Sequence, residues 1–399
     1  MTAFFIFIPS RHRICLSRKK KIDMKVLILS CNTGEGHNSA ASAICSHLVG
    51  SGIECTIKDA LTFLGKRASG RVSDFYIYST QSNLFGRIYQ IGSTINDVFE
   101  WVKSPVYLWN STYSRKLEAY IKSNGFDAVV CAHLFPALAI SALKAKGRCN
   151  LPSIFIMTDY TSIPFLNETD MDCYVIPHED LTEEFVLSGI PRYKIYPFGI
   201  PVADAFFTHV PKREARSRIA ETFGWNIPLD INWFLIMTGS MGFGDAQEII
   251  DETMYQSSDR IEIIAVCGRN TEMLEHLKED NRDLSNVHPI GYTDMIPVLM
   301  DACDVLFTKP GGISSTEAIS KGLPIIHTTP IPGCETRNAE FFHYHGMSYS
   351  STDPQQQVRI ALRLCNDSEY RKKMTGAQSL NAKPDTCHNI CSLIRDRVS

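Results

Sequence analysis

The chain has 399 residues, a net charge of −3 and 21% charged residues. That is too long for one hydrophobic core, so two domains are expected, and too evenly charged for a protein that binds nucleic acid by neutralising phosphates. Its thirteen cysteines form no C-x-x-C pair, and several (Cys131, Cys173, Cys267) lie in apolar runs, which reads as packed thiols in a reducing, cytosolic compartment.

Residues 1–23 read as an N-terminal extension that need not be native. The apolar run from Ala3 to Pro9 is too short to span a bilayer, and Arg11, Arg13, Arg18 and Lys19 to Lys21 follow it, the reverse of a secretory signal. A small basic membrane anchor is the functional alternative. From Met24 the pattern changes. Lys25 to Cys31 (KVLILSC) predicts a parallel strand buried on both faces, and His37 to Val49 the helix after it. Further strands are expected at Cys55 to Ile57, Asp127 to Cys131, Ser153 to Thr158 and Cys173 to Ile176, with helices at Phe135 to Lys146 and Asp180 to Ser188. A second series has a helix from Lys212 to Thr222 and strands at Trp233 to Thr238, Ile261 to Cys267, Val305 to Thr308 and Pro324 to His327. This alternation is α/β: two Rossmann-like domains facing across a cleft, 24–200 and 201–380, with a C-terminal helix over 381–399. The join falls near Gly199-Ile200-Pro201.

Between Phe75 and Tyr113 stand ten aromatic residues with Arg71, Arg87, Lys103, Arg115 and Lys116 in or beside them. Rings with basic ends suit a membrane interface, and Gly86, Gly92 and Pro105 interrupt the regular pattern of a plain helical core, which is the competing reading. Asp170-Met171-Asp172 has the form of a metal-binding D-x-D, but two carboxylates are few ligands for a divalent ion, and no His/Cys group has zinc spacing.

Three glycine loops follow strands, where open parallel sheets bind ligands. In the first, Asn32-Thr33-Gly34-Glu35-Gly36-His37, Gly34 and Gly36 permit a tight turn and put His37 at a helix N-terminus. There the amide dipoles disfavour an imidazolium, so His37 is either a general base or a helix cap. The full G-x-G-x-x-G of a dehydrogenase is absent. The second, Thr238-Gly239-Ser240-Met241-Gly242-Phe243-Gly244, offers unobstructed donors to a diphosphate. Cys267-Gly268-Arg269-Asn270 ends a strand in a similar way, with Arg269 either on the leaving phosphate or in solvent. The third, Lys309-Pro310-Gly311-Gly312, leads into Ser314-x-x-Glu317. Glu317 is either half of a capping box or a carboxylate that accepts both ribose hydroxyls, and the segment leaves both open.

G-E-G-H at 34–37, P-H-E-D-L at 177–181, F-G-I-P at 198–201, C-G-R-N at 267–270, K-P-G-G-I-S-S-T-E-A at 309–318 and P-G-C-E-T-R-N at 332–338 occur in order. With these motifs the chain, over roughly 25–380, resembles the monogalactosyl/glucosyl-diacylglycerol synthase family of GT-B glycosyltransferases, related to the peptidoglycan N-acetylglucosaminyltransferase. The resemblance implies a GT-B fold with the UDP-sugar donor in the C-terminal domain and a diacylglycerol-like lipid acceptor in the N-terminal one. It implies inverting hexosyl transfer without metal or other cofactor, by a cytoplasmic protein held peripherally at the cell membrane. Glu317 would hold the ribose, Gly311, Gly312, Gly239 and Ser240 the diphosphate, with Lys309 beside them, and Tyr292 would lie near the uracil. Glu335 and Asn338 would bind sugar hydroxyls, Gly34 and Gly36 would shape the acceptor loop, and His37 would face the acceptor with Asp159 as alternative base or partner. Two departures stand out. Cys334 replaces a Gln frequent in relatives, which bears on the sugar, and the loop Thr158 to Pro164 lacks a frequent Trp or His, which bears on the acceptor. An acceptor that is a cell-wall lipid-linked sugar or a soluble molecule, or a nucleotide-sugar binder without turnover, are the rival readings.

Overall fold

A computed structural model describes residues 24–31, 35–64, 103–237 and 246–399. Two all-parallel six-stranded sheets form the framework. The first contains β1 (Lys25–Ser30), β2 (Glu54–Asp59), β3 (Ala128–Cys131), β4 (Ser153–Ile156), β5 (Cys173–Val175) and β6 (Ile195–Tyr196). The second contains β7 (Trp233–Met237), β8 (Glu262–Val266), β9 (Val287–Ile290), β10 (Val305–Thr308), β11 (Ile325–His327) and β12 (Ser348–Ser350). Central strands are near-continuous apolar runs because helices cover both faces of a parallel sheet. Edge strands are different in kind: β9 reads Val-His-Pro-Ile and β12 reads Ser-Tyr-Ser. A proline is tolerated at an edge because no neighbour needs its N–H. Neither segment carries an apolar pattern, so neither was expected from the sequence.

The strand orders β2-β1-β3-β4-β5-β6 and β12-β11-β10-β7-β8-β9 locate the sites. In the first sheet the chain leaves β1 towards β2 and returns to β1's other side as β3, with Val26 beside both Cys55 and Ala128. In the second it leaves β7 towards β8 and returns beside β7 as β10. Loops diverge at such switch points and leave a crevice at the strands' carboxyl ends. Glu35 to His37 and Ala132-His133 lie at one switch point, Lys309 to Gly312 at the other.

Helix Thr386–Val398 crosses back to the first sheet, where Ile390, Cys391 and Ile394 join Val26, Ile28, Val130 and Ile154 in one buried cluster. Gly199 makes the crossing possible. It sits at φ 105°, and a Cβ there would meet Thr386 Oγ1 at 2.5 Å and Lys383 Cβ at 2.7 Å. The Thr386 hydroxyl donates to the Phe198 carbonyl at 2.6 Å.

Of the aromatic stretch, residues 75–102 lie outside the described residues. Within it, Tyr113 is buried and bonds Asn110, and Trp109 packs on Tyr113 and Phe135, so these two rings serve the core. Leu108 is exposed, and Lys103 stands over Tyr107. Among the described residues no helix is long and apolar enough to cross a membrane.

Candidate active site

His37 occupies the third position of helix Glu35–Gly50, at the first sheet's switch point. Its Nδ1 lies 2.8 Å from the Ala132 carbonyl, which only accepts, so Nδ1 carries the hydrogen and Nε2 is left with a lone pair. The Thr158 hydroxyl stands 3.2 Å from the same Nδ1, and the His133 ring packs edge-on at 4.6 Å. Burial lowers the His37 pKa below its ordinary 6.5, and the Asp159 carboxylate opposes that shift. The ring is therefore a neutral acceptor near pH 7.

The second domain meets this group through the start of helix Gly312–Lys321, capped by Gly311 with no side-chain cap bond. A Cβ on Gly312 would stand 2.0 Å from the Thr158 carbonyl oxygen and 3.2 Å from the Asp159 Cα, and one on Gly36 would meet Ile313 at 3.2 Å. Gly312 thus lets the two domains touch backbone to backbone, and Gly36 leaves room for the Ile313 side chain. Tyr160 extends from the first domain into the second: its ring is 4.9 Å from those of Phe341 and Phe342, and its hydroxyl is 3.0 Å from Thr316 Oγ1. Sequence reasoning passed over Tyr160, although its place beside Asp159 in the loop was a signal.

Asn338, assigned above to sugar hydroxyls, is fully buried and otherwise engaged. Its Nδ2 donates to Asp159 Oδ1 at 2.8 Å and to the Pro310 carbonyl at 2.9 Å, and its Oδ1 accepts from the Tyr160 N–H at 2.6 Å. One amide thereby fixes the candidate base loop and the glycine loop together. Asn338→Ala should orphan these groups and lower stability by about 1–3 kcal/mol in denaturant unfolding. A raised KM with unchanged stability would instead return Asn338 to the sugar.

Between the domains lies a cavity of about 650 Å³, lined by Gly36, Ser39 and Ser42 on one side and by Gly268, Tyr292 and Glu317 on the other. The Glu317 carboxyl makes no hydrogen bond or ion pair with another described residue. Burial alone pushes its carboxyl up to about 8. The capping box does not form: the helix starts at Gly312 with Gly311 as its cap, which puts Ser314 inside the first turn and Glu317 in the second. At the cavity edge the Arg269 guanidinium stands 5.2 Å from the ring of Tyr292, which is 64% exposed, leaving the ring accessible as a flat platform.

Lys309 and Glu335 pair with each other at 3.2 Å, and Glu335 Oε2 also accepts the Ile331 N–H at 2.7 Å. Cys334 begins the helix Cys334–Tyr344, its thiol held in the neutral form by burial and by the nearby Asp159 and Glu335 carboxylates. Gly34, Gly239 and Ser240 lie outside the described residues. The D-x-D segment is occupied by lysines: Asp170 pairs with Lys194 at 2.9 Å and Asp172 with Lys144 at 2.6 Å.

Residues 37–202 match the family model for monogalactosyldiacylglycerol (MGDG) synthase, and residues 255–378 the one for glycosyl transferases group 1. The processive diacylglycerol beta-glucosyltransferase of Bacillus pumilus (strain SAFR-032) is 26% identical over 384 residues, 94% of each chain. Two solved structures share the fold. MurG of Acinetobacter baumannii has a TM-score of 0.59 at 14% identity, covering 94% of this chain and 99% of its own. The UDP-GlcNAc 2-epimerase of Neisseria meningitidis, bound to UDP-GlcNAc, has 0.63 at 15%, covering 94% and 100%. An epimerase and MurG on one framework show that the framework does not choose the reaction. The two family matches in sequence order, the relative that spans nearly the whole chain, and the paired parallel sheets agree: the chain has the GT-B glycosyltransferase fold and is similar to the monogalactosyl/glucosyl-diacylglycerol synthases.

Proposed function

We propose that the protein transfers a hexose, with inversion, from a UDP-sugar to the free hydroxyl of diacylglycerol or a related lipid, at the cytoplasmic membrane face. The observation that carries this reading is the unpaired Glu317 carboxyl across the interdomain cavity from helix Glu35–Gly50, with the Tyr292 ring at the rim. A cavity of about 650 Å³ suits a nucleotide sugar. The base stacks on Tyr292, Glu317 takes the ribose hydroxyls, and the start of helix Gly312–Lys321, with no side chain bonded over it, receives the diphosphate with the 238–245 loop and Arg269. Lys309 and Glu335 border the hexose, and Gly34 and Gly36 shape the acceptor side. His37 Nε2, or Asp159, removes the acceptor proton as UDP departs, and amide dipoles and basic side chains stabilise the developing charge. The names of the relatives support a lipid acceptor.

Radiolabelled UDP-glucose, UDP-galactose and UDP-N-acetylglucosamine supplied with mixed lipids should label the organic phase. Label that stays in water refutes the lipid acceptor, and binding without UDP release refutes turnover. Calorimetry tests the donor half. Glu317, with its carboxyl near 8, is mostly protonated at pH 7, whereas ribose hydroxyls favour the carboxylate. Nucleotide binding at pH 7 should therefore release close to one proton and strengthen as pH rises towards 8. Glu317→Gln should bind more weakly and release none; unchanged affinity would remove Glu317 from the donor site.

A further inference from the structure

At a second point on the interface, a group of polar side chains takes no part in the proposed transfer. His178 and Asp180 belong to the P-H-E-D-L segment after β5, and His345 follows helix Cys334–Tyr344 of the other domain. Each offers one ligand atom, all within 4.8 Å of one another. Asp180 Oδ2 lies 2.9 Å from His345 Nε2 and 3.6 Å from His178 Nδ1.

The hydrogen bonds of His345 decide what this group can hold. Its Nδ1 is 2.9 Å from the Phe341 carbonyl, an acceptor only, so Nδ1 carries a hydrogen. Nε2 then presents a lone pair to the Asp180 carboxylate unless a cation, either a second proton or a metal ion, stands between them. A histidine whose far N–H is anchored on a backbone carbonyl and whose near nitrogen faces a carboxylate has the orientation of a metal ligand. His178 brings a second imidazole with its ring 5.3 Å from that of His345. Ligation through His178 Nδ1 replaces the long 3.2 Å bond it accepts from the Asp180 N–H. The nearby Lys383 ammonium is held by Glu179 at 2.7 Å, and Asp180 is exposed, which leaves an entry path.

We propose that His178, Asp180 and His345 bind a divalent transition-metal ion of the Zn²⁺ class, with water in the fourth position, as a clip between the two domains. Two imidazoles and one carboxylate suit Zn²⁺ over the hard ions Mg²⁺ and Ca²⁺, which prefer oxygen ligands. The role is structural; the ion stands apart from His37 and Glu317 and takes no part in their chemistry.

The test uses the full chain, stripped with a chelator and titrated with Zn²⁺ in calorimetry, then with Co²⁺ under visible spectroscopy. One ion per chain is expected, with the visible bands of four-coordinate Co²⁺. His345→Ala and Asp180→Asn should each weaken binding by about tenfold or more and abolish those bands. His345→Gln keeps a donor for Asp180 and reports the same loss if the alanine variant does not fold. Absence of a stoichiometric ion, or equal binding by the His345 variants, overturns the site and leaves a proton-bridged ion pair.

Discussion

A His37→Ala chain is expected to lose about 10²- to 10⁴-fold in kcat, the usual worth of a positioned general base, while nucleotide affinity in calorimetry stays near that of the parent. The reason is the tautomer. The Ala132 carbonyl fixes the hydrogen on Nδ1, so Nε2 is the atom able to take a proton. Because burial holds the His37 pKa below 6.5, the ring stays deprotonated through neutral pH, and activity should fall on acidification only once pH drops below that value. Asp159→Asn is the companion variant. Asn338 donates to one Asp159 oxygen, which marks the carboxylate as a partner that orients the region and tunes the imidazole. A His37→Ala enzyme with activity within tenfold of the parent, together with an inactive Asp159→Asn, would transfer the base role to Asp159.

Gly312→Ala should be nearly as damaging, through geometry. The added Cβ would stand 2.0 Å from the Thr158 carbonyl oxygen, and both sides of that contact are backbone, so neither can swing away as a side chain would. The domains must part, and a displacement of about 1 Å between reacting groups can cost on the order of 10²-fold. The expected result is a loss of that order in kcat/KM with a larger radius of gyration in small-angle scattering. Gly311→Ala is the control for shape: a Cβ there meets nothing within 4 Å, so the closed arrangement should persist. A Gly312→Ala chain with parental scattering and activity would mean that the domains do not work in this closed contact.

Local chemistry was enough to read much of this protein from its sequence. Lys25 to Cys31 reads as a buried strand, because six apolar or small residues in a row leave no polar face for solvent, and β1 spans Lys25–Ser30. The glycine loops after strands, and the motifs in order, pointed to two Rossmann-like domains and to the family. The strands that escaped notice, β6, β9 and β12, are edges: β6 has two residues, too few for a pattern, and the residues of β9 and β12 need not be apolar because one side has no neighbour.

The sequence by itself determined the fold class, the two-domain plan and the candidate segments for chemistry, since periodicity, glycine content and capping potential are properties of neighbouring residues. The tertiary structure decided which partners each candidate site residue meets. Whether Glu317 caps a helix or faces a cavity depends on where the helix starts, and that start is set by Gly311 and Gly312 against Thr158. Asn338 is expected at the sugar from the sequence, and only the fold brings Asp159, 179 residues away, within 2.8 Å of it. His178 and Asp180 gain a third ligand only when the domain interface brings His345 beside them. Such partners are chosen by the packing of one domain on another, and no local pattern records them.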